Sequence, residues 1–128
     1  MSSQDINKSE KNLFSSKVVD LSYLDESLSG DLGMLKQMIQ LFLDQSPEKI
    51  KLLDSSVSEK KFEVIKETSH FLKSTFSIMG LQSKDDLAEI ERLSSQQKDH
   101  ATIVALNKKI MANFEVSLAE YKKIISSL

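Results

Sequence analysis

The sequence predicts an all-α protein: an up-and-down antiparallel four-helix bundle with a short extra helix at its N-terminal end. Apolar residues recur at spacings of three and four along most of the chain, and the strict alternation of a half-buried strand is absent. Only three glycines and one proline occur in 128 residues, so turns are few and the segments between them are long. Long amphipathic segments joined by short polar connections are typical of antiparallel bundles.

The first elements follow from the signals that start and stop helices. Residues 1–17 are rich in Ser, Asn, Lys and Glu and predict a flexible tail, which leaves 18–128 for the bundle. Ser22 is the predicted N-cap of the short helix, and the Ser29-Gly30 pair is its stop. Asp31 is the predicted N-cap of the first long helix.

The remaining helices follow from the same signals. Pro47 marks a point where the first long helix bends or a new helix begins. Later helices are predicted over about 61–79, 83–95 and 101–127, and Gly80 is the stop of the first of them. In the 61–79 helix, residues three and four apart form one predicted buried stripe, which consists of Phe62, Ile65, Ser69, Leu72, Phe76 and Met79.

Composition excludes several classes of function. The 17 basic and 19 acidic residues give a formal charge of −2, so no overall positive field attracts nucleic acid or an anionic membrane. Cysteine is absent, which excludes disulfides, thiolate metal sites and cysteine nucleophiles. The polar N-terminal segment has no apolar core of a secretory signal, and no stretch is apolar enough to span a bilayer. We therefore expect a cytoplasmic protein, and we take a monomer as the default oligomeric state.

One segment of the 61–79 helix carries the candidate chemistry. His70 lies roughly 140° around the helix from the centre of the buried stripe, so its imidazole is predicted to face solvent. Near neutral pH an exposed imidazole offers an unprotonated, nucleophilic Nε2 that can attack an acyl phosphate. Lys73, one turn further on, would offset charge on the phosphoryl oxygens. A single exposed histidine on a helix is more often only a surface residue, so this spacing alone does not predict phosphorylation.

The residues around His70 leave room for a partner protein. Ser74 and Ser77 are small and lie on the same exposed strip, which Lys66 extends in the other direction. Phe71, at the edge of the strip, gives a docking partner an apolar side chain to cover. These four residues are the predicted partner-binding positions.

The run His70-Phe71-Leu72-Lys73, followed by small residues and then by Met79-Gly80, resembles the signature of histidine-containing phosphotransfer (HPt) domains. Tyr23-Leu24, the Gly30-Asp31 break, and the segment 34–43 followed by Pro47 are similar to the first two helices of that family. The resemblance covers about 19–93.

The resemblance implies a phosphorelay role. His70 would be the phosphorylated nucleophile and Lys73 the cation next to the phosphate. Members of the family have no ATP site and no cofactor of their own. They relay phosphoryl groups between receiver domains of hybrid histidine kinases and of response regulators, and the receiver supplies the aspartate and the divalent metal.

Two details of this resemblance concern residues near the histidine. The family has glycine directly after the lysine, where this chain has Ser74. We expect transfer to survive this change, since serine is small and could donate a hydrogen bond to the phosphoryl group. The added side chain could also narrow the choice of receivers or slow transfer. Some members orient the histidine with a polar side chain from the following helix. Arg92 and Glu89 are the candidates for that role here.

Three alternatives remain open from the sequence. The dimerisation helix of a sensor kinase also begins its motif with Ser-His, but Phe71 stands where that motif has Glu, and the chain has no nucleotide-binding motif, so no autokinase activity is expected. Ser74 keeps open a degenerate adaptor that binds a receiver or kinase without being phosphorylated. A metalloenzyme or hydrolase would need a second site residue, but His100, the other histidine, is predicted to be a solvated surface residue.

Overall fold

The computed structural model describes residues 16–128, and within them the chain folds into helices without a β-strand. The five helices are Ser22–Ser27 (α1), Leu32–Ser58 (α2), Phe62–Met79 (α3), Lys84–Ser95 (α4) and His100–Ser126 (α5). The predicted all-α class is confirmed. No helix in this part of the chain combines the length and apolar character needed to cross a lipid bilayer.

The four later helices pack in a closed ring. The helix α3 packs against α2 and α4, and α5 also packs against α2 and α4, while the short α1 contacts α3. An up-and-down bundle has this arrangement of contacts between helices that follow one another in the chain. Helix α3 therefore has two neighbours in the ring, and its remaining face is open to solvent except where α1 contacts it.

Of the predicted tail, residues 1–17, the structure describes only residues 16 and 17. Residues 1–15 lie outside the described residues. The hydroxyl of Ser16 donates a hydrogen bond to the carboxylate of Glu120 near the end of α5. Val19 then pairs with Leu81 in a single antiparallel bridge, and both side chains are buried. The chain is thus in contact with the bundle before α1 begins.

The helix boundaries show which of the predicted helix starts are correct. The side chain of Asp31 accepts a hydrogen bond from the backbone amide of Met34 at 3.1 Å, so the predicted N-cap of α2 is confirmed. The prediction that Ser22 caps α1 is wrong, because the helix already includes Ser22 and Leu21 occupies the cap position. The carboxylate of Asp20 instead accepts from the backbone amide of Ser22 at 2.9 Å. Pro47 lies inside α2, which continues through it without a second start.

Aromatic side chains from three helices meet in the core. The ring of Phe42 from α2 lies 5.8 Å from that of Phe114 and 5.2 Å from that of Tyr121, both on α5. Phe76 from α3 stacks on Phe114 at 6.3 Å. Burial raises the pKa of Tyr121, so its hydroxyl stays protonated and donates a hydrogen bond to the carbonyl of Met79. This bond fixes the C-terminal end of α3 against α5.

The end of α3 is also the attachment point of the segment before α1. Gly80 has the left-handed backbone conformation, with φ of 66°, that commonly ends a helix. Its carbonyl accepts a hydrogen bond from the backbone amide of Asp20 at 2.8 Å. The close approach of these two backbone segments holds α1 beside the C-terminal half of α3.

Candidate functional site

His70 lies near the middle of α3 and faces solvent, as its position in the sequence predicted. Its side chain is 64% exposed, whereas Ser69 and Leu72 on the inner face of the same helix are fully buried. The contrast follows from the helical period, because the positions that pack against the core alternate with those that point outward. The bundle therefore presents the imidazole on a rigid helix.

A carboxylate from α4 holds one nitrogen of this imidazole. Oε2 of Glu91 lies 2.8 Å from Nδ1 of His70, and the other carboxylate oxygen, Oε1, accepts a hydrogen bond from Nζ of Lys73 at 2.8 Å. Partial burial by itself raises the pKa of Glu91, but the hydrogen bonds from Lys73 and His70 outweigh it and hold that pKa below its usual value. Glu91 is thus an anion that joins the two candidate residues.

This contact fixes the state of the ring. A carboxylate only accepts hydrogen bonds, so Nδ1 must carry the hydrogen and, in a neutral imidazole, Nε2 holds the lone pair. Among residues 16–128, Nε2 has no hydrogen-bond partner. The site therefore presents a nucleophilic nitrogen on the outside of the bundle and holds the opposite nitrogen in place.

The residue that orients His70 is not one of the two predicted from the sequence. Glu89 and Arg92 pair with each other, with two distances of 2.7 Å between the guanidinium and the carboxylate, and neither contacts the imidazole. Their side chains are about half exposed. Neither of the two candidates therefore lies where it could orient His70, and Glu91 holds that position instead.

The predicted partner-binding residues lie around His70 on two sides. Ser74 and Ser77 are exposed, and Lys66 is partly buried one turn before the histidine. Phe71 is 45% exposed and lies on the side of α3 that faces α2. We call Lys66, Phe71, Ser74 and Ser77 the docking face.

An apolar groove between α2 and α3 continues from Phe71. Its walls include Leu41 and Ile78, which are themselves exposed, and Thr75. The ammonium of Lys49 on α2 lies 4.9 Å from the centre of the Phe71 ring, which is within range of a cation–π contact. Apolar surface next to the exposed nucleophile is a feature of transient interaction sites.

The second histidine does not belong to this site. His100 is partly buried, and its Nε2 lies 2.7 Å from the carbonyl oxygen of Val57 at the end of α2. The ring also meets Phe62 edge-on at 6.3 Å. The prediction of a solvated His100 is therefore wrong, because the ring links the first residue of α5 to α2. Within the described part of the chain, no three histidine or carboxylate side chains are grouped to hold a metal ion.

Comparison with known proteins identifies the family. The family model described as the Hpt domain matches residues 37–118. Neither the comparison with curated proteins nor that with solved structures gives a match. The matched region covers well over half of the chain and contains His70, Lys73 and Glu91. The chain therefore belongs to the Hpt domain family, whose members perform histidine phosphotransfer in two-component signalling.

Proposed function

We propose that this chain is a phosphorelay intermediate that accepts a phosphoryl group on Nε2 of His70 and passes it to a second receiver domain. The observation that carries the proposal is the exposed imidazole whose Nδ1 is held by Glu91 and whose Nε2 has no hydrogen-bond partner among residues 16–128. An adaptor that only binds its partner has no need of an oriented nucleophile.

The chemistry of acceptance follows from this geometry. The lone pair of Nε2 attacks the phosphorus of a receiver aspartyl phosphate, the P–N bond forms, and the acyl P–O bond breaks to release the aspartate carboxylate. The hydrogen on Nδ1 stays where it is, so the phosphorylated ring carries a positive charge. The carboxylate of Glu91, 2.8 Å away, offsets that charge. Transfer onward reverses the same steps, and no proton has to leave the site.

Lys73 supports the phosphoryl group in the proposed complex. Its ammonium lies one turn from His70 and is only one-third exposed, so it remains close to the histidine. A phosphoryl group brings additional negative charge and three acceptor oxygens. An ammonium has three donors, so Lys73 can donate to the phosphoryl oxygens while it keeps its hydrogen bond to Glu91.

The proposed partners are receiver domains of hybrid histidine kinases and of response regulators. The receiver would supply the aspartate and the divalent metal, and no cofactor is assigned to this chain. We propose that the receiver covers the docking face and the apolar groove beside Phe71. The exchange would take place in the cytoplasm between a monomeric carrier and one receiver at a time. A transient complex of this kind buries at most about 1,200 Å² in total.

The proposal is tested by incubating the protein with receiver domains that have been phosphorylated with acetyl phosphate and Mg²⁺. We expect an acid-labile, base-stable phosphate to appear on the chain. Incubation with ATP and Mg²⁺ alone should leave the chain unlabelled. A chain that remains unlabelled with every receiver, although it binds them, would instead be the adaptor.

Glu91→Gln tests the orienting role of the carboxylate. We expect the rate of phosphoryl acceptance to fall by about tenfold to a hundredfold, by analogy with the cost of removing a carboxylate that orients a metal-binding histidine. An amide carries no charge and can also donate a hydrogen bond, so it neither fixes the hydrogen on Nδ1 nor offsets the charged ring. Rapid-quench measurement of transfer from a phosphorylated receiver gives the rate.

Glu89→Gln is the matched control for this substitution. It makes the same chemical change on the same helix, but at a carboxylate that pairs with Arg92. We expect its transfer rate to equal that of the wild type. If both variants transfer at the wild-type rate, Glu91 has no orienting role.

A further inference from the structure

The hydroxyl groups along α3 differ in what they bind. Three of them donate to backbone carbonyls of their own helix: Ser69 to Lys66 at 3.1 Å, Thr75 to Phe71 at 3.3 Å, and Ser77 to Lys73 at 2.9 Å. Ser74 is exposed, and its hydroxyl forms no hydrogen bond with any residue among 16–128. Its donor is therefore available to a group that arrives from outside.

The position of Ser74 brings this donor close to the nucleophile. Side chains four residues apart on a helix are neighbours, with Cβ atoms about 5–6 Å apart. Helical side chains also tilt toward the N-terminal end of their helix, which brings Ser74 over the turn that carries His70. A phosphoryl group on Nε2 would place its acceptor oxygens beside this hydroxyl.

The second donor near His70 is already engaged in the unphosphorylated protein. Nζ of Lys73 donates one of its three hydrogens to Glu91 at 2.8 Å in this state, and the other two can serve the phosphoryl group. The hydroxyl of Ser74 has a single hydrogen, and it forms no hydrogen bond with any residue among 16–128. A new hydrogen bond from Ser74 would therefore exist only in the phosphorylated state.

We propose that the hydroxyl of Ser74 donates a hydrogen bond to a phosphoryl oxygen of phosphorylated His70 and thereby retains the phosphoryl group on this chain. The inference rests on the proposed function, since it concerns the phosphorylated form of the same histidine. The hydroxyl keeps its proton throughout, and no bond to phosphorus is made or broken by Ser74. A contact made by one state alone shifts the equilibrium toward that state.

This equilibrium shift changes how the phosphoryl group is shared between this chain and a receiver. At equilibrium a phosphoryl group is distributed between this chain and a receiver according to the relative stability of the two phosphorylated forms. The hydrogen bond from Ser74 raises the share held by this chain. A receiver must then supply enough contacts of its own to the phosphoryl oxygens to draw the group away, so Ser74 selects among receivers.

The test measures this distribution directly. Wild type, Ser74→Ala and Ser74→Gly are each mixed with the same receiver domain, previously phosphorylated with acetyl phosphate, and the phosphate on both proteins is measured at equilibrium. We expect both variants to shift the ratio about tenfold toward the receiver, because each lacks a donor to a charged acceptor. Alanine is well tolerated at an exposed helical position, so the first variant keeps the fold.

Ser55→Ala is the matched control. Ser55 is an exposed serine on α2 whose hydroxyl donates to the carbonyl of Leu52 at 3.2 Å, away from His70. We expect it to keep the wild-type ratio.

Two results would overturn the inference. One is a wild-type ratio for Ser74→Ala, which removes the hydroxyl and keeps the Cβ. The other is a change in Ser74→Gly alone, which would show that the serine acts through its bulk. A wild type that takes no phosphate on His70 contradicts the proposed function itself, and that result is visible before any variant is compared.

Discussion

Replacing His70 by Gln is expected to reduce phosphoryl acceptance from receiver domains to background. Glutamine has no nucleophilic ring nitrogen, so the P–N bond cannot form. The fold should survive, because the His70 side chain is 64% exposed and is not part of the buried core. The measurement is labelling by a phosphorylated receiver, scored as phosphate that is lost in acid and kept in base.

His100→Gln provides the matched control for this substitution. His100 is the only other histidine in the sequence, and its ring contacts the carbonyl of Val57 and the side chain of Phe62 at the start of α3, about two turns from His70. We expect this variant to be labelled like the wild type. Labelling of the His70 variant would contradict the assignment. If neither the wild type nor the variants are labelled but all bind receivers, the chain is an adaptor.

Gly80→Ala is expected to have the largest effect on stability. A Cβ at this position would lie 1.6 Å from the carbonyl oxygen of Asp20 and 2.5 Å from its carbonyl carbon, and these are backbone atoms. The segment at Asp20 cannot retreat without breaking the hydrogen bond from its amide to the Gly80 carbonyl and the pairing of Val19 with Leu81. The left-handed φ of Gly80 adds strain.

We expect this variant to lose about 3 kcal/mol or more of unfolding free energy, in the range of severe backbone and packing conflicts. For a domain of this size that corresponds to a fall in Tm of roughly 10 °C or more. Thermal unfolding followed by circular dichroism measures the change.

Gly30→Ala separates the backbone collision from the conformational strain. Gly30 also has a left-handed φ, of 76°, but nothing lies within 4 Å of the position where its Cβ would be. Its replacement should therefore cost only the local strain, about 1 kcal/mol. Equal losses for the two variants would show that the approach of Asp20 to Gly80 contributes nothing to stability.

The helices were predictable because their signals are local. The stripe from Ile65 to Met79 is buried as its spacing predicted, although Phe62 at its start is only partly buried. The N-cap at Asp31 and the helix end at Gly80 were also predicted correctly, since a cap or a left-handed residue acts within its own turn. The error at Ser22 arises because its hydroxyl donates to the carboxylate of Asp20, which also accepts from the Ser22 amide, so the hydroxyl does not cap the helix.

The exposure of His70 was predictable, but its orienting partner was not. Glu89 and Glu91 lie on opposite edges of the buried stripe of α4, roughly 90–110° from its centre. Which edge faces α3 depends on how the bundle closes, and no local signal in the sequence specifies that choice. The same limit applies to His100, whose contact with Val57 joins residues 43 positions apart in the chain.

The central claim is that Glu91 holds Nδ1 of His70 and leaves Nε2 to carry the phosphoryl group. The most direct test is NMR of the ¹⁵N-labelled protein after phosphorylation by a receiver domain, with the phosphorus coupling used to assign the bonded ring nitrogen. We predict phosphorus on Nε2 of His70 and a hydrogen retained on Nδ1. Phosphorus on Nδ1, or on any residue other than His70, would contradict the account.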